Sequence, residues 1–387
     1  MVAGSAVSTV LSLNSGSSSL KLGLYSFQDG KSEQLAWAEA EELGSASGRL
    51  SMRGLVEVES REPRHAASAG ASAQLFFEKL KSAAAPLPQA VGHRIVHGGP
   101  RLREHQRITP EVLDQIEDAT LFAPLHIPAA LDVVKRAMKA FSDVPHIACF
   151  DTAFHRTIPE FAARLPFGRE FFDRGLQRYG FHGLSCESIV RTLGSELGTL
   201  TVIAHLGNGC SITAVHNGSS VETSMGLTPT GGVIMGTRPG DLDPGVLLTL
   251  LRSGYDANKL NFLLDHHSGL LGISGVSNDM RRLLHERGQN PNARLAVKMF
   301  CYSIRKGIGA MGAVLGGIDM LVFTGGIGEH SAIVRSEICS KLQHLGIALD
   351  EAANQRSAFR IGSRRCDVRV IPSDEDLEIA VHARALS

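Results

Sequence analysis

The sequence predicts an α/β fold built from two duplicated domains, and three observations carry this prediction. The chain has 387 residues, more than the ~100 to 200 that one domain usually holds. Strand-like apolar runs alternate with segments of helical spacing. A strand, a polar hairpin and a second strand occur at 10–25 (VLSLNSGSSSLKLGLY) and again about 190 residues later, at 201–217 (TVIAHLGNGCSITAVHN), which is typical of duplication.

Each element between the hairpins follows from its start and stop signals. Thr109 and Pro110 are typical of the N-cap and first residue of a helix, and Pro128 opens a second helix in the same way. In chain order we expect an Ala-rich helix near 72–85, a strand at 90–97, the two proline-opened helices, and a buried strand that ends at Asp151.

The second half returns to helices and strands after its hairpin. One long helix is predicted because apolar residues recur on one face at helical spacing, at Phe300, Ile304, Ile308, Met311 and Leu315. Residues 307–328 are long enough to span a bilayer, but they contain Asp319 and eight glycines. We therefore expect the helix to end near Gly316, followed by a buried strand and then a glycine turn leading into another helix.

Composition excludes several classes of protein. Lys plus Arg and Asp plus Glu number 39 each, so the broad basic surface that binds nucleic acid or an anionic membrane is not expected. The N-terminus carries no positive charge before its short apolar run, so no signal peptide is expected. The six cysteines contain no C-x-x-C pair. We expect them to be reduced, buried thiols in a cytoplasmic protein.

The opening hairpin, Asn14 to Ser19, is rich in small polar residues. It matches neither the Walker loop nor the Rossmann turn. Its backbone N–H groups and hydroxyls suit an anion-binding nest, although a permissive turn has the same composition. Similar turns at 205–209 and 325–329 favour phosphate binding, because three such turns at strand ends suit a nucleotide bound between two domains.

Charged residues lie in glycine- and proline-rich islands elsewhere in the chain. Arg94 and Arg238 are candidate clamps for a phosphoryl group, since a guanidinium fork suits trigonal oxyanions; an ordinary ion pair is the alternative for each. Four histidines have a similar alternative as core or capping residues: His93, His97, His126 and His182.

Carboxylates suggest a magnesium site. Asp151 and Glu375 lie at the ends of predicted strands, and with Asn14 they offer the oxygen ligands that Mg²⁺ prefers. Zinc is less favoured, because the lone H-x-x-x-H pattern, at 93–97, falls on a predicted strand.

These motifs together resemble the acetate kinase family, from about residue 9 to residue 382. The motifs that carry the resemblance are NSGSSSLK, HRIVHGG, APLHIP, FDTAFH, YGFHG, HLGNG, TSMGLTPTGGVIMGTRPGDLDP, FTGGIGE and VIPSDED. The resemblance implies a duplicated, actin-like (ribonuclease H-like) ATPase fold with a nucleotide cleft between the domains. It implies a first domain of residues 1–150 plus 373–387, a second of 151–372, and a homodimer.

The resemblance also implies a role for each matching residue. Catalytic positions are Arg94, Asp151, His182 and Arg238, and magnesium positions are Asn14 and Glu375. The acyl substrate would contact Arg94, Val96, Leu125, His126, Phe181 and Pro229. Nucleotide-binding positions are Ser17, Ser19, Lys21, His205, Leu206, Gly207, Asn208, Gly209, Asp279, Met280, Arg281, Gly326, Ile327, Gly328, Glu329 and His330.

The function implied is reversible in-line transfer of the ATP γ-phosphoryl group to acetate, giving acetyl phosphate and ADP, with Mg²⁺ or alternatively Mn²⁺. Partners are small molecules, without nucleic acid or membrane. Propionate or butyrate is an alternative substrate, and an actin-like nucleotide-binding protein without catalysis is a more distant alternative. Four positions depart from the family's motifs: Ile127, Leu184, Cys186 and His330.

Overall fold

Two units, each with its own β-sheet, make up the chain. The computed structural model describes residues 8–16, 19–55, 57–60, 62–83, 85–124, 126–362 and 365–387. Unit 1 comprises Met1–Ala153, Gly183–Ser188 and Asp374–Ser387, and unit 2 comprises Phe154–His182 and Ile189–Ser373. The segment Gly183–Ser188, which we call the crossing segment, thus belongs to unit 1 although its chain neighbours on both sides belong to unit 2.

Unit 1 contains an eight-stranded sheet in the order β5-β4-β3-β2-β1-β6-β8-β7. Its strands are β1 (Ser8–Ser15), β2 (Ser19–Gln28), β3 (Lys31–Glu41), β4 (Arg49–Gly54), β5 (Val58–Ser60), β6 (Ala90–Ile95), β7 (Gln106–Arg107) and β8 (His146–Phe150). Its helices are α1 (Ala69–Ser82), α2 (Pro110–Asp118), α3 (Ile127–Ala140) and, from the C-terminus, α15 (Glu375–Ala385).

Helices cover both faces of this sheet, and β1 contributes apolar side chains to each face because successive side chains of a strand point to opposite sides. Leu11 and Leu13 join one apolar cluster with Phe76 of α1. Val10 joins another with Ile379 of α15. A Cβ at Gly92 would lie 2.6 Å from the Ile379 side chain, so glycine on β6 is what lets α15 pack directly on the sheet.

Unit 2 contains a five-stranded sheet in the order β11-β10-β9-β12-β13. Its strands are β9 (Leu200–Leu206), β10 (Cys210–His216), β11 (Ser219–Thr223), β12 (Met320–Thr324) and β13 (Asp367–Val370). Its helices are α4 (Glu160–Ala163), α5 (Arg169–Asp173), α7 (Pro244–Arg252), α8 (Ala257–His266), α9 (Gly269–Ser274), α10 (Met280–Glu286), α11 (Pro291–Leu315), α12 (Gly325–His330), α13 (Ala332–Cys339) and α14 (Glu351–Gln355); α6 (Gly183–Leu193) begins with the crossing segment.

The predicted duplication is confirmed by the pairing pattern of the two sheets. In unit 1 the run β3-β2-β1-β6-β8 has two antiparallel pairs followed by two parallel pairs. In unit 2 the run β11-β10-β9-β12-β13 has the same four pairings in the same order. The two sequence hairpins are the β1–β2 and β9–β10 connections, at matching places in the two sheets.

Most local predictions are confirmed as well. The Thr109 side chain accepts the Val112 N–H at 3.3 Å and caps α2. Helix α11 buries four of the five predicted apolar positions and ends at Leu315, with Gly316 as its left-handed cap. Within the described residues, no helix combines the length and apolar character needed to cross a membrane. The six cysteines are all free and buried.

Candidate active site

In unit 1, charged side chains meet where three neighbouring strands end. The parallel strands β1, β6 and β8 bring together Asn14, Arg94 and Asp151, because carboxyl ends of parallel strands share one sheet edge. Arg94 donates Nε and Nη2 to Asp151 Oδ2 at 3.2 and 2.5 Å. Its Nη1 donates to Ser15 O at 3.2 Å and Asn14 Oδ1 at 3.4 Å. The ion-pair alternative for Arg94 is therefore realised, in a form that orients the guanidinium.

Asp151 keeps one oxygen unused in this arrangement. Its side chain is 1% exposed, and Oδ1 has no hydrogen-bond partner among the described residues. Burial alone would lower the pKa of Arg94, but the opposing charge of Asp151, with Glu375 beyond it, raises it above its ordinary value. A buried carboxylate oxygen without a partner is costly, and this one suits an arriving cation or ordered water.

The acidic start of α15 lies beside these strand ends. Asn14 Nδ2 donates to Glu375 Oε2 at 3.3 Å and to Asp376 Oδ1 at 2.8 Å. Burial raises the pKa of Asp376 to about 6, against the lowering effect of the Asn14 hydrogen bond and Lys21. The prediction that Glu375 ends a strand is wrong. Glu375 is the first residue of α15, because Asp374 caps the helix by accepting the Leu377 N–H.

These oxygens suit magnesium. Carboxylate oxygens such as those of Glu375 and Asp376, which accept from Asn14 Nδ2, are of the hard type that Mg²⁺ takes. Lys21, on β2, is half-exposed, and its Nζ lies 3.6 Å from Glu39 Oε1. These donor types suit the predicted ion, and its binding belongs to the proposal below.

In unit 2, His182 occupies a constrained position. Its φ is +58°, in the left-handed region that non-glycine residues seldom adopt. Its ring stacks on His205 with centroids 4.1 Å apart, and Nδ1 lies 3.0 Å from Ser211 Oγ. The imidazole is thus fixed from two sides.

Arg238 lies next to this imidazole. A Cβ added to Gly209 would be 3.2 Å from His182 Nε2 and 3.5 Å from Arg238 Nη1, so the glycine of the β9–β10 hairpin leaves room for both groups. Arg238 Nη1 donates to Pro229 O at 2.9 Å. Among the residues that the structure describes it forms no salt bridge, and burial lowers its pKa. A largely buried cation without a carboxylate partner suits an anionic ligand.

A cavity of about 980 Å³ lies beside the same hairpin in unit 2. It is large enough for a nucleotide, and residues 207–208, 278–281, 326–327 and 330–333 line it. The structure thus brings together the turn after β9, the start of α10 and the first turn of α12. His205, which stacks on His182, does not line this cavity. Four further residues of unit 2 that were predicted to bind the nucleotide do not line it either: Leu206, Gly209, Gly328 and Glu329.

The third glycine turn is also corrected by the structure. Residues 325–330 form α12, which begins directly after β12 because Gly325 takes φ +74° and redirects the chain. Glu329 folds back and accepts the Gly325 N–H at 2.9 Å. Residues 279–281 are the cap and first residues of α10, with Asp279 accepting the Arg281 N–H at 2.9 Å.

The remaining predicted residues are those of the acyl pocket and of the β1–β2 hairpin. Val96 in unit 1 and Phe181 in unit 2 are buried, Pro229 is half-buried, and His126 precedes α3. In the β1–β2 hairpin, Gly16 N–H donates to Ser19 O at 2.8 Å and so closes the turn on itself. Two predictions, Ser17 and Leu125, lie outside the described residues.

Comparison with known proteins decides the family. The sequence model of the acetokinase family matches residues 9–381. The chain belongs to the acetokinase family.

Individual members of this family agree with the chain over nearly its whole length. An acetate kinase of Campylobacter jejuni subsp. doylei is 41% identical, covering 96% of this chain and 97% of its own. A propionate kinase of Citrobacter rodentium is also 41% identical, covering 96% and 95%. The predicted kinase class is thereby confirmed.

Solved acetokinase-family structures confirm the predicted fold class. A propionate kinase of Francisella tularensis subsp. tularensis has a TM-score of 0.91 at 33% identity, covering 98% of this chain and all of its own. The Porphyromonas gingivalis acetate kinase has a TM-score of 0.86 at 36% identity, covering 98% and 99%.

The four departures from the acetokinase motifs fall into two kinds. Ile127, Leu184 and Cys186 are fully buried, and Leu184 packs in the cluster with Ile379 of α15. His330 is 80% exposed at the edge of the nucleotide-sized cavity. Leu184 and Cys186 thus change the packing of the helix that follows His182, Ile127 changes the packing at the start of α3, and His330 changes the cavity rim.

Sequence reasoning missed a cluster of His105, Glu187 and His382 in unit 1. Their side-chain nitrogen and oxygen atoms lie within 4.8 Å of one another. The residues are far apart in sequence and match no spacing motif. The available signal was weak: an acidic residue in the first turns of the helix that follows His182.

Proposed function

We propose that this chain is an acetate kinase, transferring the γ-phosphoryl group of ATP reversibly to acetate to give acetyl phosphate and ADP. The observation that carries the proposal is Arg238, a largely buried guanidinium beside His182 that forms no salt bridge with any residue that the structure describes. A phosphoryl group in transfer spreads negative charge over three oxygens. Such a pair of donors stabilises that charge more than it stabilises the ground state.

The other residues divide the remaining tasks. Arg94, held by Asp151 Oδ2, would bind the acetate carboxylate, which is already ionised near neutral pH and needs no general base. Asp151 would orient Arg94 and, through Oδ1, a metal-bound water. Asn14 and Glu375 would hold Mg²⁺, or alternatively Mn²⁺, which neutralises phosphate charge when bound.

The nucleotide would bind in unit 2. Residues 207–208, 278–281, 326–327 and 330 line the cavity and would contact ATP there, and His205 stacks on His182. The Gly325 N–H at the start of α12 is bound by Glu329, so the phosphate contacts proposed for this turn are Gly326 and Ile327, which line the cavity. Ser17, Ser19 and Lys21 remain proposed phosphate contacts on the domain of residues 1–150 plus 373–387.

The acyl group of the substrate would lie in the proposed pocket of Val96, Leu125, Phe181 and Pro229, and acetate is the first candidate because most of the similar proteins are acetate kinases. The described members Val96 and Phe181 are buried and apolar, which suits the alkyl group of a short-chain acid. Propionate or butyrate is the second candidate, and the propionate kinases among the similar proteins favour testing it.

We also propose a cytoplasmic homodimer. Six free, buried thiols suit a reducing compartment. All residues of α7 are exposed or half-buried, including the large apolar side chains of Val246, Leu248 and Leu251, with Phe262 of α8 exposed as well. An apolar surface of this kind is typical of a subunit interface.

A hydroxylamine trap tests the activity. The enzyme is incubated with ATP, Mg²⁺ and acetate, propionate or butyrate, and acyl phosphate is captured as the coloured hydroxamate. We expect the highest kcat/KM with acetate. A higher value with propionate or butyrate would reassign the substrate, and ATP binding without any hydroxamate would favour a nucleotide-binding protein without catalysis.

A further inference from the structure

Glu187 joins three segments of unit 1. On the crossing segment, its Oε2 lies 3.1 Å from His105 Nε2 and 3.0 Å from His382 Nε2, and its Oε1 lies 3.3 Å from His105 Nε2. His105 lies between β6 and β7, and His382 lies on α15. We call Glu187, His105 and His382 the Glu187 clamp.

The clamp is a hydrogen-bonded arrangement and not a metal site. The backbone N–H of Phe150 donates to His105 Nδ1 at 3.0 Å, so in the neutral ring Nε2 carries the hydrogen and has no lone pair for a metal. Glu187 accepts from both imidazoles. Burial would raise the pKa of Glu187, but these hydrogen bonds lower it to about 2, so the carboxylate stays charged.

The clamp fixes the chain directly after His182. The Gly183 N–H donates to Asp151 O at 2.8 Å, and Glu187 lies one helical turn further along α6. Through His105, Glu187 is tied to Phe150, the residue before Asp151. Two successive residues at the end of β8 therefore hold the crossing segment at two points one helical turn apart: Asp151 holds Gly183 directly, and Phe150 holds Glu187 through His105.

A third contact completes the attachment. Ser188 Oγ accepts the Asp374 N–H at 2.9 Å, next to Glu375. A left-handed conformation at a non-glycine residue such as His182 persists only where the surrounding structure imposes it. On the C-terminal side of His182, that constraint comes from these contacts of the crossing segment.

We propose that Glu187 is a positioning residue for His182, acting through His105 and His382 to hold the crossing segment. The proposal rests on the proposed function. A group that stabilises a transferring phosphoryl must be placed closely, and a displacement of about 1 Å can cost about 100-fold in rate. Loosening the clamp lowers kcat while leaving the substrate-binding residues in place.

Glu187→Gln is the sharpest variant. It keeps size and shape, but leaves one acceptor oxygen for two imidazole N–H donors and turns an amide N–H₂ toward them. We expect kcat to fall about 10- to 100-fold, with KM for acetate and ATP within about twofold. Asp367→Asn is the matched control, because Asp367 also accepts two donors, from Arg369, and is 25% exposed against 14% for Glu187. It should leave kcat unchanged.

A double-mutant cycle separates positioning from general destabilisation. In a His182→Ala background, Glu187→Gln should lower kcat by less than about twofold more, because the group that it positions is gone. An equal fold-loss in both backgrounds would overturn the proposal, as would an unchanged kcat in the single variant. If Glu187→Gln does not fold, His382→Phe keeps the ring packing on His105 and removes one donor, with the same expectations.

A readout without turnover keeps the proposal distinct from the proposed function. The His182 ring signal in a ¹H–¹³C spectrum, assigned by its loss in His182→Ala, should shift in Glu187→Gln and not in Asp367→Asn. An unshifted signal contradicts the clamp. If the wild-type protein forms no acyl phosphate but the signal shifts, the proposed function fails and the positioning role stands.

Discussion

Arg238→Ala should separate activity from stability. The Arg238 fork lies beside His182 and would donate charge-assisted hydrogen bonds to the transferring phosphoryl group. Each such bond contributes about 1.5 to 3 kcal/mol. Losing two lowers kcat by about 10²- to 10⁴-fold, with a much smaller change in KM for acetate because the contact strengthens in the transition state.

The folded state should not suffer from the same substitution. Burial lowers the pKa of Arg238 and outweighs the raising effect of the Asp265 charge, which means that folding disfavours the charged guanidinium. The thermal midpoint of Arg238→Ala is therefore expected to be equal to or higher than that of the wild type.

Arg369→Ala is the control for this prediction. Arg369 is buried and bound to Asp367 and Glu196, so its loss should lower the thermal midpoint and leave kcat intact. Steady-state hydroxamate assays and calorimetry measure both quantities. An Arg238→Ala kcat within about threefold of wild type, or a fall in midpoint matching that of Arg369→Ala, would refute the reasoning.

Three further predictions follow from the same geometry. Phe181→Ala should shift relative kcat/KM toward propionate by ~1 to 3 kcal/mol per methylene; unchanged ratios would contradict the acyl pocket. Glu375→Gln should raise the Mg²⁺ concentration for half-maximal rate at least about tenfold, and an unchanged requirement would remove Glu375 from the metal site. Burial and the neighbouring His146 hold the pKa of His93 well below 6.5, so its stabilising contribution is present above pH 6.5 and is lost as the pH falls. Below pH 6.5, each proton taken up on unfolding lowers the free energy of unfolding by about 1.4 kcal/mol for every pH unit of acidification. Urea titrations from pH 8 to 5 measure this slope, and His93→Leu should reduce it. An equal slope in His93→Leu and the wild type would refute the prediction.

The fold was predictable from sequence because its strongest signals are local. The two hairpins alternate at period two, helix α2 begins at Pro110 as predicted, and α3 begins at Ile127, one residue before Pro128. Because both hairpins occupy the same place in their sheets, recognising the repeat was enough to predict the duplicated architecture. Family motifs then supplied the candidate site residues.

Other features depended on tertiary context. The segments at 325–330 and at Glu375 come after strands, and only the left-handed Gly325 and the Asp374 cap show that helices begin there. The Glu187 clamp joins residues up to 277 positions apart, between His105 and His382, and no local pattern brings such residues together. Orphaned atoms such as Asp151 Oδ1 are likewise visible only once neighbours are known.

Isotope transfer from acetate tests the central claim most directly. The enzyme is supplied with ATP, Mg²⁺ and acetate labelled with ¹⁸O in both oxygens, and the products are followed by ³¹P NMR. We predict an acetyl phosphate signal with the isotope shift of one bridging ¹⁸O, together with unlabelled ADP, because the acetate oxygen attacks the γ-phosphorus. Inorganic phosphate and ADP without acetyl phosphate, or acetyl phosphate without ¹⁸O in the bridge, would contradict the account.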